Sequence, residues 1–202
     1  FILDKDTKRI LIKGADFEAI FDPQTGSIYS LKYGNETVIA DGNGPKLDAL
    51  RAFTNNDNWF YAPWFEHGLH NLIHKATEYK VLNKDNGTLV LSFTVESQAS
   101  SGKNSIEELT DRKFGSNDFK FVTNQIWTVY PDGSIELQSS ITSNRSSLVL
   151  PRLGYVMKVP QQYSNFTYYG RGPIDNYADR KSGQFIEQYT NSVAGEFVNF
   201  PK

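Results

Sequence analysis

Between Tyr168 and Arg180 the chain concentrates groups that can hydrogen-bond and stack: Tyr168, Tyr169, Arg171, Asp175, Asn176, Tyr177, Asp179 and Arg180. Amides and carboxylates accept from hydroxyls, and the guanidinium fork donates in a plane. Tyrosine rings offer an apolar face to a sugar, or sit half-buried at strand ends with the hydroxyl outward. Gly170 and Gly172 permit close backbone approach, and Pro173 fixes the next turn. This set fits a loop that faces a sugar or another domain. It fits equally a loop that cross-links itself, with Asp179 and Arg180 as the lock, because a part-buried arginine stripped of its carboxylate is costly.

A second group lies at Asn55, Asn56 and Asp57. Short side chains on one turn can converge on a cation or a hydroxyl, but Asx residues also cap turns and the start of a following helix, and that structural role is the reading adopted. His67, His70 and His74 stand at i, i+3 and i+7 behind Glu66, so a helix would place three imidazoles on one face, as zinc sites do. Gly68 interrupts them and Leu69 and Ile73 share the segment, so they are read as ordinary surface or half-buried histidines, with no metal site. Trp59, Phe60, Tyr61, Trp64 and Phe65 form the densest aromatic group in the chain. Such a group fills its own domain's core and rim, or docks on a neighbour.

The elements that must position these residues are mostly strands. Period-two patterning with turn residues at short intervals marks an antiparallel β protein. Strands are predicted over Phe17 to Phe21 and Ile28 to Tyr33, with a hairpin at Gly34-Asn35, and two more between Val81 and Val95 around Asn86-Gly87. The Asp41 to Pro45 cluster breaks the pattern. Phe119 to Tyr130 and Ser134 to Thr142 read as a hairpin closed by Pro131-Asp132-Gly133, with Phe121, Ile126, Ile135 and Leu137 on its buried side. Leu148 to Val159 reads as a further strand pair or bent strand, and Gln98 to Asn117 as a long polar loop with a short turn at Ile106 to Leu109. One helix is predicted from Pro63 to His74, where Trp64, Phe65, Leu69, Leu72 and Ile73 recur at threes and fours. Many strands and one helix favour a two-sheet sandwich over a small barrel.

Composition narrows the partners. With 202 residues and 39% hydrophobic content the chain can bury one substantial core. A formal charge of −2 gives no basic stripe for nucleic acid, and no apolar run approaches bilayer length. The absence of cysteine excludes disulfides and thiol chemistry. An opening at Phe1 rather than Met fits a piece of a longer polypeptide, which leaves bacterial cytoplasm and periplasm both open. Asn35, Asn86, Asn144 and Asn165 begin Asn-x-Ser/Thr triplets, which arise often by chance.

Residues 170–180 resemble the Gly-x-Gly-Pro-x-Glu-Asn-Tyr-x-Asp-Arg signature in the C-terminal domain of the large β-galactosidases of glycoside hydrolase family two, with Asp175 in place of Glu. Arg51-Ala52-Phe53-Thr54-Asn55-Asn56-Asp57 is similar to that family's Arg-Ala-Pro-Thr-Asp-Asn-Asp run, departing at Phe53 and Asn55. Phe17 to Asp22, the Gln24-Thr25-Gly26 turn and Ile28 to Tyr33 add a weaker likeness, so the resemblance covers nearly the whole chain. It implies a large antiparallel two-sheet sandwich of the galactose-mutarotase type, a supersandwich with one short helix. Residues 1–202 would then be a single domain, a fragment of the family's C-terminal domain, which continues past Lys202 into further strands.

The same resemblance implies that the acid and nucleophile are glutamates on a separate (β/α)8 barrel. A retaining glycosidase needs two carboxyl groups about 5 Å apart across one glycosidic bond. The isolated chain is therefore expected to be inactive, with no catalytic residue and no cofactor of its own, Mg and Na being held in other domains. Expected partners are that barrel, the other domains and a galactoside, with an oligomer possible and neither nucleic acid nor membrane. The carbohydrate-binding or cleft-facing candidates are Asn55, Asn56, Asp57, Tyr169, Arg171, Asn176, Asp179 and Arg180. The alternatives are a purely structural module, a stand-alone carbohydrate-binding module, and an aldose epimerase-like protein using the Glu66 and histidine cluster. Acid-base chemistry needs reach to a common substrate atom, which clustering on one helix does not supply.

Overall fold

The computed structural model describes residues 2–5, 8–83, 86–103, 111–173 and 181–196. The chain falls into two compact units, Phe1–Lys158 and Val159–Lys202. In the first, β1 (Ile2–Lys5), β2 (Ile10–Lys13), β3 (Phe17–Asp22), β4 (Ser27–Tyr33) and β5 (Glu36–Ile39) form an antiparallel meander in chain order. After the short β6 (Lys46–Asp48) come β7 (Leu72–Asn83), β8 (Leu89–Ala99), the small ribbon β9 (Ser101–Lys103) and β10 (Asp111–Lys113), then β11 (Phe121–Val129) and β12 (Ile135–Ser143). The second large sheet is antiparallel with the order β12-β11-β8-β7.

Alternation joins the two sheets face to face. Phe17, Ala19 and Phe21 on β3 and Leu89, Leu91, Phe93 and Val95 on β8 are buried, and with Trp127 and Val129 they belong to one core. The rings of Phe21 and Trp127 meet edge to face, 5.4 Å apart. Trp127 Nε1 donates to the Gly26 carbonyl at 3.2 Å and to Gln125 Oε1 at 3.1 Å, so one side chain bonds a turn of the opposite sheet. The expected all-β two-sheet sandwich is the architecture observed.

Three local expectations change. Ile126 is 44% exposed, because alternation from Phe121 buries the odd positions through Val129 and turns Ile126 to the outer face; Ile135 and Leu137 do pack on the core. The polar stretch from Gln98 to Asn117 includes the paired β9 and β10, while the turn expected at Ile106 to Leu109 lies outside the described residues. From Leu148 to Val159 only β13 (Gly154–Val156) is a strand, and it pairs with β6.

The helix is shorter than its apolar spacing predicts. Helix α1 covers Tyr61–Glu66, Gly68 adopts a left-handed φ of 69°, a 3-10 turn follows over Leu69–Asn71, and Leu72 begins β7. Gly68 stops the helix because it takes that conformation without a Cβ penalty. The histidines consequently share no helical face. His67 lies against Phe119 at 5.5 Å, His70 stacks on Phe65 at 4.8 Å, and His74 sits on β7 with Nδ1 2.9 Å from Ser97 Oγ.

Burial, helped by the charge of Lys46, pushes His74 down to about 4. The unfolded chain therefore binds a proton near pH 6.5 that the folded chain refuses until about pH 4. Stability from this group is complete above pH 6.5 and falls as pH drops through that window, by roughly 2–3 kcal/mol. Denaturant midpoints measured from pH 7 to pH 4 should show this slope, and His74→Gln should flatten it relative to wild type.

A second cluster gathers Leu47, Ala49, Trp64, Leu69, Phe119 and Phe121, and anchors the segment between β6 and β7 on the start of β11. In the unit Val159–Lys202, β14 (Asn165–Gly172) pairs antiparallel with β15 (Phe185–Ser192). Among the described residues no helix is long and apolar enough to cross a membrane.

Candidate functional site

Residues 51–60 are built around an ion pair. Arg51 Nη1 donates to Asp57 Oδ2 at 2.5 Å and Nη2 to Oδ1 at 2.9 Å, a two-pronged fork. Asp57 Oδ2 also accepts from the Thr54 backbone N–H at 2.6 Å and from Thr54 Oγ1 at 2.9 Å, fixing the entry to a 3-10 helix over Asn55–Trp59. The Arg51 hydrogen bond, followed by that from the Thr54 N–H, holds the buried Asp57 carboxyl well below the usual carboxylate range. Arg51 Nε reaches the Pro151 carbonyl at 3.2 Å, and Trp64 Nε1 reaches that of Val149 at 2.8 Å. Two strands of chain, 51–64 and 149–151, are thereby tied together.

Phe53 continues the brace into the aromatic group, with ring centroids 5.5 Å from Tyr61, 5.9 Å from Trp64 and 5.5 Å from Phe65. Trp64 is buried, whereas Phe53, Trp59 and Phe60 are exposed. The aromatic residues thus divide, some filling the second core and some remaining at the surface. Beside them an open depression of about 520 Å³ is lined by groups that include Asp48, Arg51, Phe53, Phe65, His70 and Arg152. Arg152 pairs with Asp48 across it.

Among the sequence candidates, Asn55 and Asn56 are exposed and Asp57 is turned inward, so the three do not converge on one point in solvent. Tyr169 and Arg171 belong to the second unit, on β14, where both are exposed. The other face of that strand carries Tyr168, which packs on Phe166 at 6.2 Å and Tyr189 at 5.4 Å. A Cβ on Gly172 would fall 2.6 Å from Tyr168 Oη and 2.8 Å from the Tyr189 ring, so a side chain there would make these two rings shift. Asn176, Asp179 and Arg180 lie outside the described residues, as does the Asp179-Arg180 lock. Among the described residues no group of three or more His, Cys, Asp or Glu side chains converges as a metal ion would require.

Sequence reasoning missed Arg51 as the partner of Asp57, although the Thr54-x-x-Asp57 spacing is a helix-start signal that points to the Thr54 bond. Arg51→Ala should leave Asp57 without its main counter-charge and release Pro151. Thermal melting should fall by several degrees, and Trp64 emission should shift red as its packing loosens. Arg51→Lys should rescue only part, since an ammonium cannot reproduce the fork. The contribution of Asp57 is fully present above the ordinary carboxylate range and is lost only in strong acid, the sign expected of a depressed carboxyl.

The geometry is that of a braced surface whose only ionisable side chain between Ala52 and Phe60 is consumed internally. A family model described as "Beta galactosidase small chain" matches residues 13–202. Among curated proteins, a beta-galactosidase of Priestia megaterium is 27% identical over 192 residues, covering 95% of this chain and 16% of that protein. One from Halalkalibacterium halodurans is 28% identical over 190 residues, covering 90% of this chain and 16% of its own length. The beta-galactosidase of Kluyveromyces lactis is 26% identical over 197 residues, covering 96% and 18%. The chain therefore spans less than a fifth of the length of these relatives.

Proposed function

The chain belongs to the β-galactosidase small-chain family, and on that footing we propose that it serves as an accessory domain in the hydrolysis of terminal β-D-galactosides. It braces or walls a cleft whose catalytic carboxylates lie on other parts of a longer polypeptide, with a catalytic barrel as its neighbour and Mg and Na held elsewhere. The observation that carries this reading is the span of the match: nearly all of this chain corresponds to 16% of the Priestia protein. The site supports it, because Arg51 and Thr54 use both oxygens of Asp57 to hold a loop in place, which is bracing and not proton transfer. Asn55 and Asn56 are the side chains of the first unit proposed to face the cleft, and Tyr169, Arg171, Asn176, Asp179 and Arg180, taken by themselves, are those proposed for carbohydrate contact in the second.

The test is direct. The purified chain incubated with o-nitrophenyl β-D-galactoside should release no nitrophenol above the buffer rate. Turnover that co-purifies with the chain would place the bond-breaking groups here and defeat the reading. Direct carbohydrate binding stands as the second reading, and the uncharged surface of residues 52–60 favours it.

A further inference from the structure

The chain contains two Asn-Gly dipeptides, Asn43-Gly44 and Asn86-Gly87. When the backbone nitrogen after an asparagine attacks the side-chain carbon Cγ, a five-membered imide closes, and a glycine in second place leaves that nitrogen unshielded because it has no Cβ. The fold treats the two dipeptides in opposite ways.

Asn43-Gly44 is clamped. The Asn43 N–H donates to the Ala40 carbonyl at 3.0 Å, and the Asn43 carbonyl accepts from the Lys158 N–H at 3.0 Å. That carbonyl shares a rigid peptide plane with the Gly44 nitrogen, so the Lys158 bond fixes the very atom that has to attack. Gly44 is buried as well, with the Ile28 carbonyl oxygen already in the space where a Cβ would stand. Rotation toward Cγ is blocked on both sides.

Asn86-Gly87 lies in the turn between β7 and β8, just ahead of the pairing of Leu89 with Asn83. Both residues are exposed, and a Cβ on Gly87 would meet Pro131 Cγ at 3.7 Å, an ordinary contact. Asn86 Oδ1 accepts from the Thr88 backbone N–H at 3.2 Å, and Thr88 is buried. This turn holds the amide over the backbone that follows it. It also aims a fixed donor at the oxygen on which negative charge develops when Cγ becomes tetrahedral.

We propose that Asn86 is a self-modification site, converted in the folded chain to aspartate and isoaspartate, while Asn43 is protected. Hydroxide removes the Gly87 N–H proton, the nitrogen bonds to Cγ, and the Cγ–Nδ2 bond breaks as ammonia leaves with a proton from water. Water then opens the imide. Cleavage between the nitrogen and Cγ gives aspartate, and cleavage between the nitrogen and the Asn86 backbone carbonyl carbon gives isoaspartate. Either product puts a carboxylate where a neutral amide stood. Aspartate keeps an acceptor for Thr88, and a stronger one. Isoaspartate runs the chain through Cβ and Cγ, which adds a backbone carbon to the turn and removes that acceptor.

The purified chain, folded or unfolded in urea, is incubated in mildly acidic and mildly alkaline buffer, and its proteolytic peptides are followed by mass spectrometry. In the folded chain the peptide holding Asn86 should gain about 1 Da, faster in alkaline buffer, and an isoaspartyl methyltransferase should label it. The peptide holding Asn43 should change at least about tenfold more slowly, a gap that closes in urea. Asn86→Gln, which would need a six-membered ring, should keep its mass. The proposal is overturned if the Asn86 peptide of the folded chain keeps its mass, changes no faster than the Asn43 peptide, or reacts at a rate indifferent to pH. Urea that accelerates Asn86 as much as Asn43 overturns it too, since the fold would then be shielding both alike.

Discussion

Trp127→Ala is expected to destabilise the sandwich by about 3–5 kcal/mol, the range for emptying a large aromatic site in a packed core. The residue does more than fill volume. Its ring meets Phe21 from the opposite sheet, and its Nε1 donates to both Gly26 and Gln125. Removing it opens a void between the sheets and strands the Gln125 side-chain oxygen, on a residue only 5% exposed. Trp127→Phe separates the two effects, because it keeps most of the packing while leaving both acceptors without their donor, at about 1–3 kcal/mol. Urea unfolding of the three proteins measures the difference. A loss below about 1 kcal/mol for Trp127→Ala would show that the two faces do not act as one core.

Gly44→Ala should be nearly as damaging, for a steric reason. A Cβ built on Gly44 falls 1.9 Å from the Ile28 carbonyl oxygen and 2.8 Å from its carbon, so the obstacle is the backbone of β4 itself. A side chain could swing aside; a strand paired at Ile28 with Phe21 of β3 cannot do so without breaking that pairing. A loss of about 3 kcal/mol is expected, at the upper end for overpacking. Gly42→Ala tests the contrast. Its Cβ would meet nothing closer than 3.8 Å, and its penalty comes from a φ of 77°. Melting both variants against wild type should rank Gly44→Ala as clearly the worse.

The sequence showed the strands well where one periodicity was unopposed. From Phe121 to Val129 the alternation, closed by Pro131-Asp132-Gly133, forecasts a hairpin that the structure contains, and the one misplaced side chain, Ile126, is an apolar residue on the exposed phase. Around Gly68 two periodicities competed. Leu69, Leu72 and Ile73 satisfy a helix as well as a turn running into a strand, and the glycine's left-handed backbone decided between them. Pairing of Asp48 with Gly154 was not legible, since two three-residue strands so distant in the chain leave no local pattern. The site was half visible. Asn55, Asn56 and Asp57 stood out by type, but the inward turn of Asp57 depends on Arg51 and on a carbonyl of Pro151 that no window of sequence brings near. Trp59 read as one member of an aromatic group, and only the fold separates it from the buried Trp64.

Strand β12 closes one side of the sheet β12-β11-β8-β7, and four of its nine residues are Ser139, Ser140, Thr142 and Ser143, all exposed. A rim of this kind hydrates its own outward amides. Hydroxyl-bearing side chains supply little of the dry interdigitation that drives cross-β stacking, so a stray strand from another molecule gains few contacts by annealing there. Among the described residues, this side of the sheet therefore ends in a wet, hydroxyl-lined margin rather than an apolar one.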